Sequence, residues 1–544
     1  MADSPWPIYH RNNFAQSSTC LPGPMPGDSL KTVAKTQIRG GTSPWVYLSD
    51  TYPNGERALL YSNASHIFKF LDTGDQIITL DSFRVDFDVI SSFGWNFLLG
   101  KNKIWYTYDP KYDPAQNEST RLFKFTDQDP NDPFSELIVL DTFDMGDWGI
   151  NRVQHFSMNY LGQIVFNSEN NEVLGHATVG VINENFQLLD SLNYPTRAGE
   201  IVHHNAFPID ENNSFYIVTT ERLIKFAWDG SNLSIDWEAD YDFVDDGPTG
   251  SFAEGSGTTP TLMGWENGND QLVVMADGHR RNNLVAFWRE LPPGWTGVPG
   301  MDIHFADSIR VPRAVASNNT FQSIENSPTV FGYDIAIAQF NGFLGYDCDN
   351  LKGIQKFRWN EQSNEFELVW INDELNMNGV LTYSQGSNLL YGSGKESDCT
   401  YYYYGLNWDT GAEEFRLQLG PEGTFLNDPF YDGGNNNIID EQGNIYFSGG
   451  ASLVKVEIVS NATSTQAELF EALKVYPNPA TDYLILDTPL SADLQVQVFN
   501  FLGQELQDWW REGDKIYFPS WESGLYFLKV KRVKEEMLLK FLKD

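Results

Sequence analysis

One short pattern recurs through most of the chain: an apolar strand with a basic or aromatic residue near its middle, then a polar turn and a further strand. The copies lie about 55 residues apart on average, which is typical of propellers with long blades. Such a repeat constrains the fold strongly, because each unit can bury its apolar face only against its neighbours. The clear copies are His66-Ile-Phe-Lys-Phe, Arg121-Leu-Phe-Lys-Phe, Arg222-Leu-Ile-Lys-Phe, Asn283-Leu-Val-Ala-Phe, Gly353-Ile-Gln-Lys-Phe, Tyr403-Tyr-Gly-Leu-Asn-Trp and Ser452-Leu-Val-Lys-Val.

The turns between the strands and the two ends of the repeated region also agree with a propeller. Asp72-Thr-Gly and Asp229-Gly supply the positive-φ positions that tight hairpins need. The last unit, around Asn444-Ile-Tyr-Phe, lacks a fourth strand of its own. We expect the segment from Leu30 to Ile38 to supply that strand and so to close the ring and protect its edges.

These features predict an all-β chain: a β-propeller of about eight blades followed by a small Ig-like antiparallel β-sandwich. Seven blades remain an alternative because the second and sixth units are long, and a pair of β-sandwiches is the competing fold. We place the propeller at residues 1–460, a small polar linker at 461–472 and the C-terminal domain at 473–544.

Charge limits the partners that such a chain can bind. The net charge is −38, from 74 acidic and 36 basic residues. A field of that sign repels phosphate backbones and anionic lipid surfaces, so we expect no nucleic-acid or membrane-surface partner. The excess acid indicates either solubility outside the cell or capture of cations such as calcium.

Three cysteines, Cys20, Cys348 and Cys399, are too few for a disulfide scaffold. In an oxidising compartment, Cys348 and Cys399 could pair across neighbouring repeats, and Cys20 would remain a free thiol.

No apolar stretch is long enough to span a bilayer, and Met1-Ala-Asp-Ser-Pro-Trp-Pro carries no leader features. Taken alone, that start suggests the cytoplasm.

The C-terminal residues point outside the cell instead. Lys474-Val-Tyr-Pro-Asn-Pro-Ala, Val498-Phe-Asn-Phe-Leu-Gly and Ser523-Gly-Leu-Tyr-Phe-Leu-Lys-Val occur in that order before a basic, apolar end. This arrangement resembles the type A C-terminal sorting domain of the type IX (Por) secretion system. The motif positions carried by the resemblance are Pro477, Asn478, Pro479, Gly503 and Gly524. The prolines fix an extended entry, and we expect φ > 0 at both glycines.

The resemblance implies a protein of Bacteroidetes type that is secreted or placed on the outer cell surface. It implies a cleavable leader, which is missing from the start of this sequence. The secretion machinery is then a partner, and the family implies tail removal and anchoring to surface lipopolysaccharide.

The start of the chain, Ser4-Pro-Trp-Pro-Ile-Tyr-His, resembles the entry of quinoprotein-like (PQQ-like) propellers. The regular Gly-x-x-x-Trp docking repeats and the vicinal cysteine pair of that family are missing, so we expect no bound pyrroloquinoline quinone.

Polar residues at the entry to each first strand are the candidate site, because first strands line the channel of a propeller. A convergent set of oxygens there would suit calcium, and a channel histidine would suit a transferase. The competing interpretation is a hydrogen-bonded polar rim. The candidates are His155, His203, His204, Glu254, Glu325, Asn326, Asn378 and Asn435.

A second calcium hypothesis rests on Asp240, Asp242 and Asp245, although their spacing misses the standard calcium-loop pattern. The leading function is binding of an extracellular ligand, glycan or protein. The alternative is a channel-centred enzyme, either a calcium-dependent hydrolase of lactonase type or an arylsulfotransferase-like protein. The sequence does not decide whether the chain is an enzyme.

Overall fold

The structure of the chain is a computed structural model, and part of the chain is described. The described residues are 1–35, 38, 45–62, 66–84, 97–109, 119–169, 171, 173–202, 205–242, 255–264, 270–279, 282–312, 324–339, 352–421, 437–449, 452–459, 475–476, 480–486, 494–500, 504–512, 515–518, 521, 524–532 and 535–543.

Two short strands open the chain, β1 (Ser18–Thr19) and β2 (Leu30–Lys35). Four sheets of antiparallel strands follow, here called blades 1 to 4. In blade 4, single bridges at Val202 and Ile209 replace a regular first strand. The strands are β3 (Trp45–Leu48), β4 (Ala58–Ser62), β5 (His66–Asp72) and β6 (Ile77–Arg84); β7 (Leu98–Leu99), β8 (Trp105–Asp109), β9 (Arg121–Asp127) and β10 (Leu137–Asp144); β11 (Val153–Met158), β12 (Ile164–Ser168), β13 (His176–Ile182) and β14 (Leu188–Pro195); and β15 (Phe215–Val218), β16 (Arg222–Trp228) and β17 (Leu233–Asp240).

Blades 5 to 8 continue the same up-and-down order, and β1 adds a parallel edge to blade 7. Their strands are β18 (Thr261–Met263), β19 (Leu272–Ala276), β20 (Asn283–Trp288) and β21 (Phe305–Arg310); β22 (Thr329–Phe331), β23 (Asp334–Ala338), β24 (Ile354–Asn360) and β25 (Glu365–Asn372); β26 (Asn378–Ser384), β27 (Leu389–Lys395), β28 (Thr400–Asn407) and β29 (Glu413–Pro421); and β30 (Ile438–Ile439), β31 (Ile445–Gly449) and β32 (Ser452–Ile458). The helical elements in the described part are two 3₁₀ turns, Lys101–Lys103 and Met145–Trp148.

The two ends of the propeller meet in blade 8. Strand β2 pairs antiparallel with β32, from Leu30 opposite Ile458 to Lys35 opposite Leu453, and supplies the missing fourth strand. Buried apolar clusters join each blade to the next around the whole ring, including blade 8 to blade 1. The predicted all-β propeller is confirmed, with eight blades, and so is its closure by the segment from Leu30.

The turn chemistry behaves as the sequence predicts at two of the repeated hairpins. Gly74 and Gly230 have φ of 87° and 94°, which L-residues rarely adopt. The preceding aspartates hold these turns, since Asp72 accepts from the Gly74 N–H at 2.8 Å and Asp229 accepts from the Ser231 N–H at 2.8 Å.

The basic residue in the middle of the third strand joins neighbouring blades. In blade 1, the Lys69 ammonium donates to Asp127 of blade 2 at 2.5 Å. In blade 8, the Lys455 ammonium lies 2.5 Å from Asp72 of blade 1. Three further lysines donate to backbone carbonyls of the next blade, namely Lys124 to Glu184, Lys225 to Arg289 and Lys356 to Trp408. The repeated lysine is therefore a docking residue between blades.

The C-terminal domain is a sandwich of two antiparallel sheets, with strand orders β33-β34-β38-β37 and β36-β35-β39-β40. Its core contains Leu484, Val498, Ile516, Leu528 and Phe541. The strands are β33 (Val475–Tyr476), β34 (Tyr483–Leu486), β35 (Leu494–Asn500), β36 (Glu505–Leu506), β37 (Trp510–Glu512), β38 (Lys515–Tyr517), β39 (Gly524–Arg532) and β40 (Glu535–Lys543).

The expectation of a positive φ at Gly524 is wrong. Gly524 is the first residue of β39 and pairs with Lys543, so the ladder already holds it in extended backbone. Pro477, Asn478, Pro479 and Gly503 lie outside the described residues.

Candidate functional site

The first 24 residues, here called the N-terminal segment, run along the first strands of several blades. Their carbonyl groups accept hydrogen bonds from the backbone of five blades, and the Ser4 hydroxyl donates to the Leu48 carbonyl of blade 1. The segment therefore covers the edges of these first strands, and we call this layer the floor of the propeller. The five bonds are Leu99 N–H to Pro7, Ile209 N–H to Asn13, Leu262 N–H to Phe14, Val330 N–H to Gln16 and Tyr383 N–H to Ser17, at 2.7–3.1 Å.

Four non-glycine residues of this segment have strained, left-handed backbone conformations that the surrounding contacts must hold in place. His10, Arg11, Ala15 and Ser17 have φ of 57°, 76°, 58° and 52°. A left-handed conformation costs a non-glycine residue on the order of 1 kcal/mol or more, and it persists only where the surroundings fix it. All four residues are buried. The floor is thus an ordered part of the propeller that its contacts with the blades hold in one conformation.

His10 is a buried basic group of the floor with a strongly lowered pKa. Its side chain is 1% exposed, Nδ1 lies 2.8 Å from the Ser17 hydroxyl, and Nε2 has no hydrogen-bond partner among the described residues. Burial, followed by the charge of nearby His155, lowers the pKa of His10 to about 3. His10 is therefore a neutral imidazole at physiological pH.

The low pKa of His10 predicts acid sensitivity. Between pH 6.5 and 3 the unfolded chain binds a proton at this position that the folded chain does not, so the free energy of unfolding falls as pH falls. The slope from one such group is at most about 1.4 kcal/mol per pH unit. Thermal unfolding from pH 7 to pH 4 measures it, and His10→Gln is expected to flatten the curve. The same substitution at His176 serves as the control, and an unchanged slope in the His10 variant would contradict the assignment.

Asn13 lies three residues further along the floor. It is buried, and neither Oδ1 nor Nδ2 of its side chain has a hydrogen-bond partner within the described part of the chain. Buried amides are normally satisfied, and such a group is explained by water or by a ligand. The floor therefore contains buried hydrogen-bonding atoms of both His10 and Asn13 that have no partner among the described residues.

Glu325 is the acidic residue that we consider for ligand binding. The residue precedes β22 and is partly exposed, but its Oε1 atom is buried and has no hydrogen-bond partner among the described residues. Burial raises the pKa of Glu325 to about 8, so the carboxyl is protonated at neutral pH. A Cβ atom on Gly257 would lie 1.6 Å from the carboxyl oxygen Oε2. The glycine therefore makes the space in which this acid sits.

The polar residues near Glu325 mostly hold the blades together. The Asn205 amide donates to the carbonyls of Ser256 and Thr258, both at 3.2 Å, and joins blade 4 to blade 5. The Thr259 N–H donates to the Ser327 hydroxyl at 2.9 Å and joins blade 5 to blade 6. Such bonds are of the kind expected of a hydrogen-bonded rim, whereas Glu325 Oε1 has no partner among the described residues.

The candidate residues from the sequence are only partly brought together. His155 is buried beside His10 and edge-on to Phe207, at 5.3 Å between ring centroids. Asn326 is buried and its amide donates to the Gln339 carbonyl at 3.5 Å. The backbone of Asn378 begins β26, and its side chain is outside the description. The other candidates, His203, His204, Glu254 and Asn435, lie outside the described residues.

Sequence reasoning missed His10 and Asn13. The signal was present, because His10-Arg-Asn-Asn is a polar run directly followed by Phe14, in a segment rich in aromatic residues and proline. Only the contact with five blades shows that the run is buried.

Two of the three aspartates proposed for calcium are described, and each lies near a basic side chain. Asp240 ends β17, on the outer edge of blade 4, and lies 2.7 Å from the Arg197 guanidinium. Asp242 is exposed and lies 3.7 Å from His279 Nε2, while Asp245 is not described. Among the described residues, no group of three or more His, Cys, Asp and Glu side chains is arranged to hold a metal ion.

A cavity of about 380 Å³ lies where blade 8 meets blade 1. Its polar lining is satisfied internally: the Arg57 guanidinium lies 2.6 Å from Glu441, and the Tyr446 hydroxyl donates to Asp72 at 2.8 Å. We interpret the cavity as part of the ring closure.

The cysteines agree with an oxidising compartment. Cys399 is disulfide-bonded and Cys20 is a free, buried thiol. Cys348 lies outside the described residues. Disulfides of this kind persist outside the cytosol.

Residues 474–544 match the family model described as "Secretion system C-terminal sorting domain". The C-terminal sandwich is a sorting domain of that family. The sorting domain indicates export, to the cell surface or the medium, and it implies contact with the secretion machinery. No helix in the described part of the chain has the length and apolar character needed to span a bilayer.

One solved structure supports the propeller fold of the rest of the chain. A solved "Europium-containing methanol dehydrogenase" superimposes with a TM-score of 0.54 at 8% identity, covering 84% of this chain and 98% of that one. The periplasmic gluconolactonase of Pseudomonas aeruginosa is similar with a TM-score of 0.39 at 12% identity, covering 77% and 100%. An uncharacterized protein of Archaeoglobus fulgidus is 25% identical over 447 residues, 77% of this chain and 82% of that protein. The predicted likeness to quinoprotein-like propellers is confirmed as a likeness of fold.

Proposed function

We propose that residues 1–460 form an extracellular binding propeller that takes an uncharged, hydroxyl-rich ligand, a glycan, in its channel. Glu325 is the observation that carries the proposal. A protonated carboxyl with a buried, unpartnered oxygen can donate one hydrogen bond and accept another, as a sugar hydroxyl requires.

The charge of the site supports an uncharged ligand. The chain carries a net charge of −38, which repels anions. Within the channel, His10 is neutral because its pKa is about 3, and Glu325 is neutral because its pKa is about 8. A neutral polar ligand therefore meets partners of matching polarity.

The competing function is an enzyme that uses Glu325 as a general acid, because carboxyl groups with a raised pKa are common in such roles. Glycoside hydrolysis requires a second carboxyl group close to the first. Within the described residues, burial is the cause of the raised pKa of Glu325, and no neighbouring carboxylate contributes. Binding is therefore the function that this geometry supports better.

The test is a titration of neutral oligosaccharides of glucose, galactose, mannose and xylose into the protein at pH 6.5. We expect Glu325→Ala to weaken binding by about tenfold, because it removes a buried hydrogen-bonding group from the complex. Gly257→Ala is expected to have a similar effect, since its Cβ atom displaces the carboxyl. Glu365→Gln, at the exposed start of β25, is the control and should bind as the wild type does.

The pH dependence separates this interpretation from a general loss of structure. Wild-type affinity should fall as pH rises above 8, because the carboxyl then loses the proton that it donates. Glu325→Gln keeps a donor and an acceptor, so it should retain affinity but lose this dependence. Equal binding by wild type and Glu325→Ala would contradict the proposal. Turnover of glycosides, lactones or aryl sulfates that depends on Glu325 would favour the enzyme.

A further inference from the structure

Two phenylalanines lie on the outer face of the sorting domain. Strands β35 and β39 pair antiparallel, with Phe499 directly opposite Phe527. Side chains alternate between the two faces of a sheet, so the neighbours of these residues point the other way. Val498 and Leu528 do lie in the core of the sandwich. Phe499 and Phe527 therefore form an adjacent aromatic pair that the core of the sorting domain does not cover.

The outward pair is nevertheless buried. Phe499 is 2% exposed and Phe527 is 7% exposed, because both pack against Cys20, with Leu21 beside it. Cys20 itself is 1% exposed. The N-terminal segment thus covers an apolar patch of the kind that soluble proteins rarely leave open to solvent.

A third residue of the sorting domain, Lys529, lies near the same contact, because its charge affects the pKa of Cys20. Burial raises the pKa of the Cys20 thiol to about 11, while the positive charges of Arg11 and Lys529 act in the opposite direction. Lys529 lies two residues after Phe527 in β39 and so shares its face.

The propeller holds the other side of this contact rigidly. The Gln385 N–H donates to the Thr19 carbonyl at 2.8 Å, and the Ser384 hydroxyl donates to the Leu21 carbonyl at 2.6 Å. A Cβ atom on Gly386 would lie 2.6 Å from the Cys20 carbonyl oxygen. Residues 19–21 are therefore seated on the first hairpin of blade 7, and no side chain fits beneath them.

We propose that the sorting domain docks on the floor of the propeller through Phe499 and Phe527, with residues 19–21 of the N-terminal segment as the receiving surface. The receiving surface exists only when the N-terminal segment is seated across the blades. Docking of the sorting domain thereby depends on completion of the propeller.

Cys20 provides a direct readout, since it is a free thiol in the described part of the chain and lies under the contact. The test is alkylation of the native full-length protein with N-ethylmaleimide at pH 8, followed by mass spectrometry. We expect the wild type to react about 100-fold more slowly than the unfolded chain, because the reagent reaches Cys20 only when the contact opens. The Phe499→Ser/Phe527→Ser variant should react at least about tenfold faster than the wild type.

Two further variants keep the result interpretable. Trp510→Ser removes an exposed aromatic residue from the other sheet of the sorting domain, and it should label as the wild type does. Leu21→Ser weakens the contact from the propeller side while the sorting domain keeps its own sequence, and it should label faster.

The proposal is overturned if Leu21→Ser and the double phenylalanine variant both label at the wild-type rate. Wild-type labelling at the rate of the unfolded chain would overturn it as well. These outcomes do not depend on ligand binding in the channel, so they are distinguishable from a failure of the proposed function.

Discussion

Replacement of Lys69 by methionine is expected to lower the free energy of unfolding by about 3–5 kcal/mol, because it leaves the Asp127 carboxylate buried without its cation. Both side chains are fully buried, with 2.5 Å between Lys69 Nζ and Asp127 Oδ1. Burial lowers the pKa of Lys69 and raises the pKa of Asp127, so each group depends on the other to stay charged. Urea unfolding followed by tryptophan fluorescence measures the loss.

A double variant identifies the cause of that loss. Lys69→Met/Asp127→Asn should be more stable than Lys69→Met alone, because the amide carries no charge and can still accept from the Tyr52 hydroxyl. The matched control is Lys31→Met, which removes a partly exposed ammonium paired with Asp75 and Glu457 and should change the midpoint much less than Lys69→Met does. Equal losses in the single and double variants would contradict the assignment of the effect to an unpaired buried charge.

Deletion of residues 1–24 is expected to prevent cooperative folding of the propeller. The deletion removes the backbone bonds to the first strands and the buried side chains of Trp6, Ile8 and Phe14. Burial of three such side chains is worth roughly 5–9 kcal/mol, which is comparable with the whole stability of a typical domain. Near-ultraviolet circular dichroism and limited proteolysis would detect the loss of fixed packing.

Addition of a synthetic peptide of residues 1–24 to the truncated protein should restore part of that signal, whereas a scrambled peptide should not. If the truncated protein unfolds at the wild-type urea midpoint, the N-terminal segment does not stabilise the propeller and this interpretation is wrong.

Local patterns in the sequence predicted the propeller well because they are set by neighbouring residues. The third-strand pattern, the aspartate–glycine turns and the strand from Leu30 each have a periodicity or a turn requirement that can be read directly. The sorting motif was readable for the same reason. The role of the mid-strand lysine was not, because the partner of Lys69 belongs to the next blade.

The candidate site was predicted only in part. Glu325 was selected by its place before a first strand, but its raised pKa comes from burial in the space beside Gly257, in another blade. His10 and Asn13 were missed because nothing near them in sequence indicates that residues 7–17 cross five blades. Gly524 was misjudged because the strand pairing begins at that residue.

The sequence by itself determined the repeat, the all-β class, the closure of the ring and the export label, since each rests on short-range order that side chains and turns impose on their own backbone. Only the tertiary structure decided which polar groups are buried and what covers each apolar face. Strand alternation assigns Phe499 and Phe527 to the outer face of their sheet, but it does not specify that Cys20 packs against that face. Burial depends on contacts between residues far apart in the chain, and these form only when the whole ring is assembled.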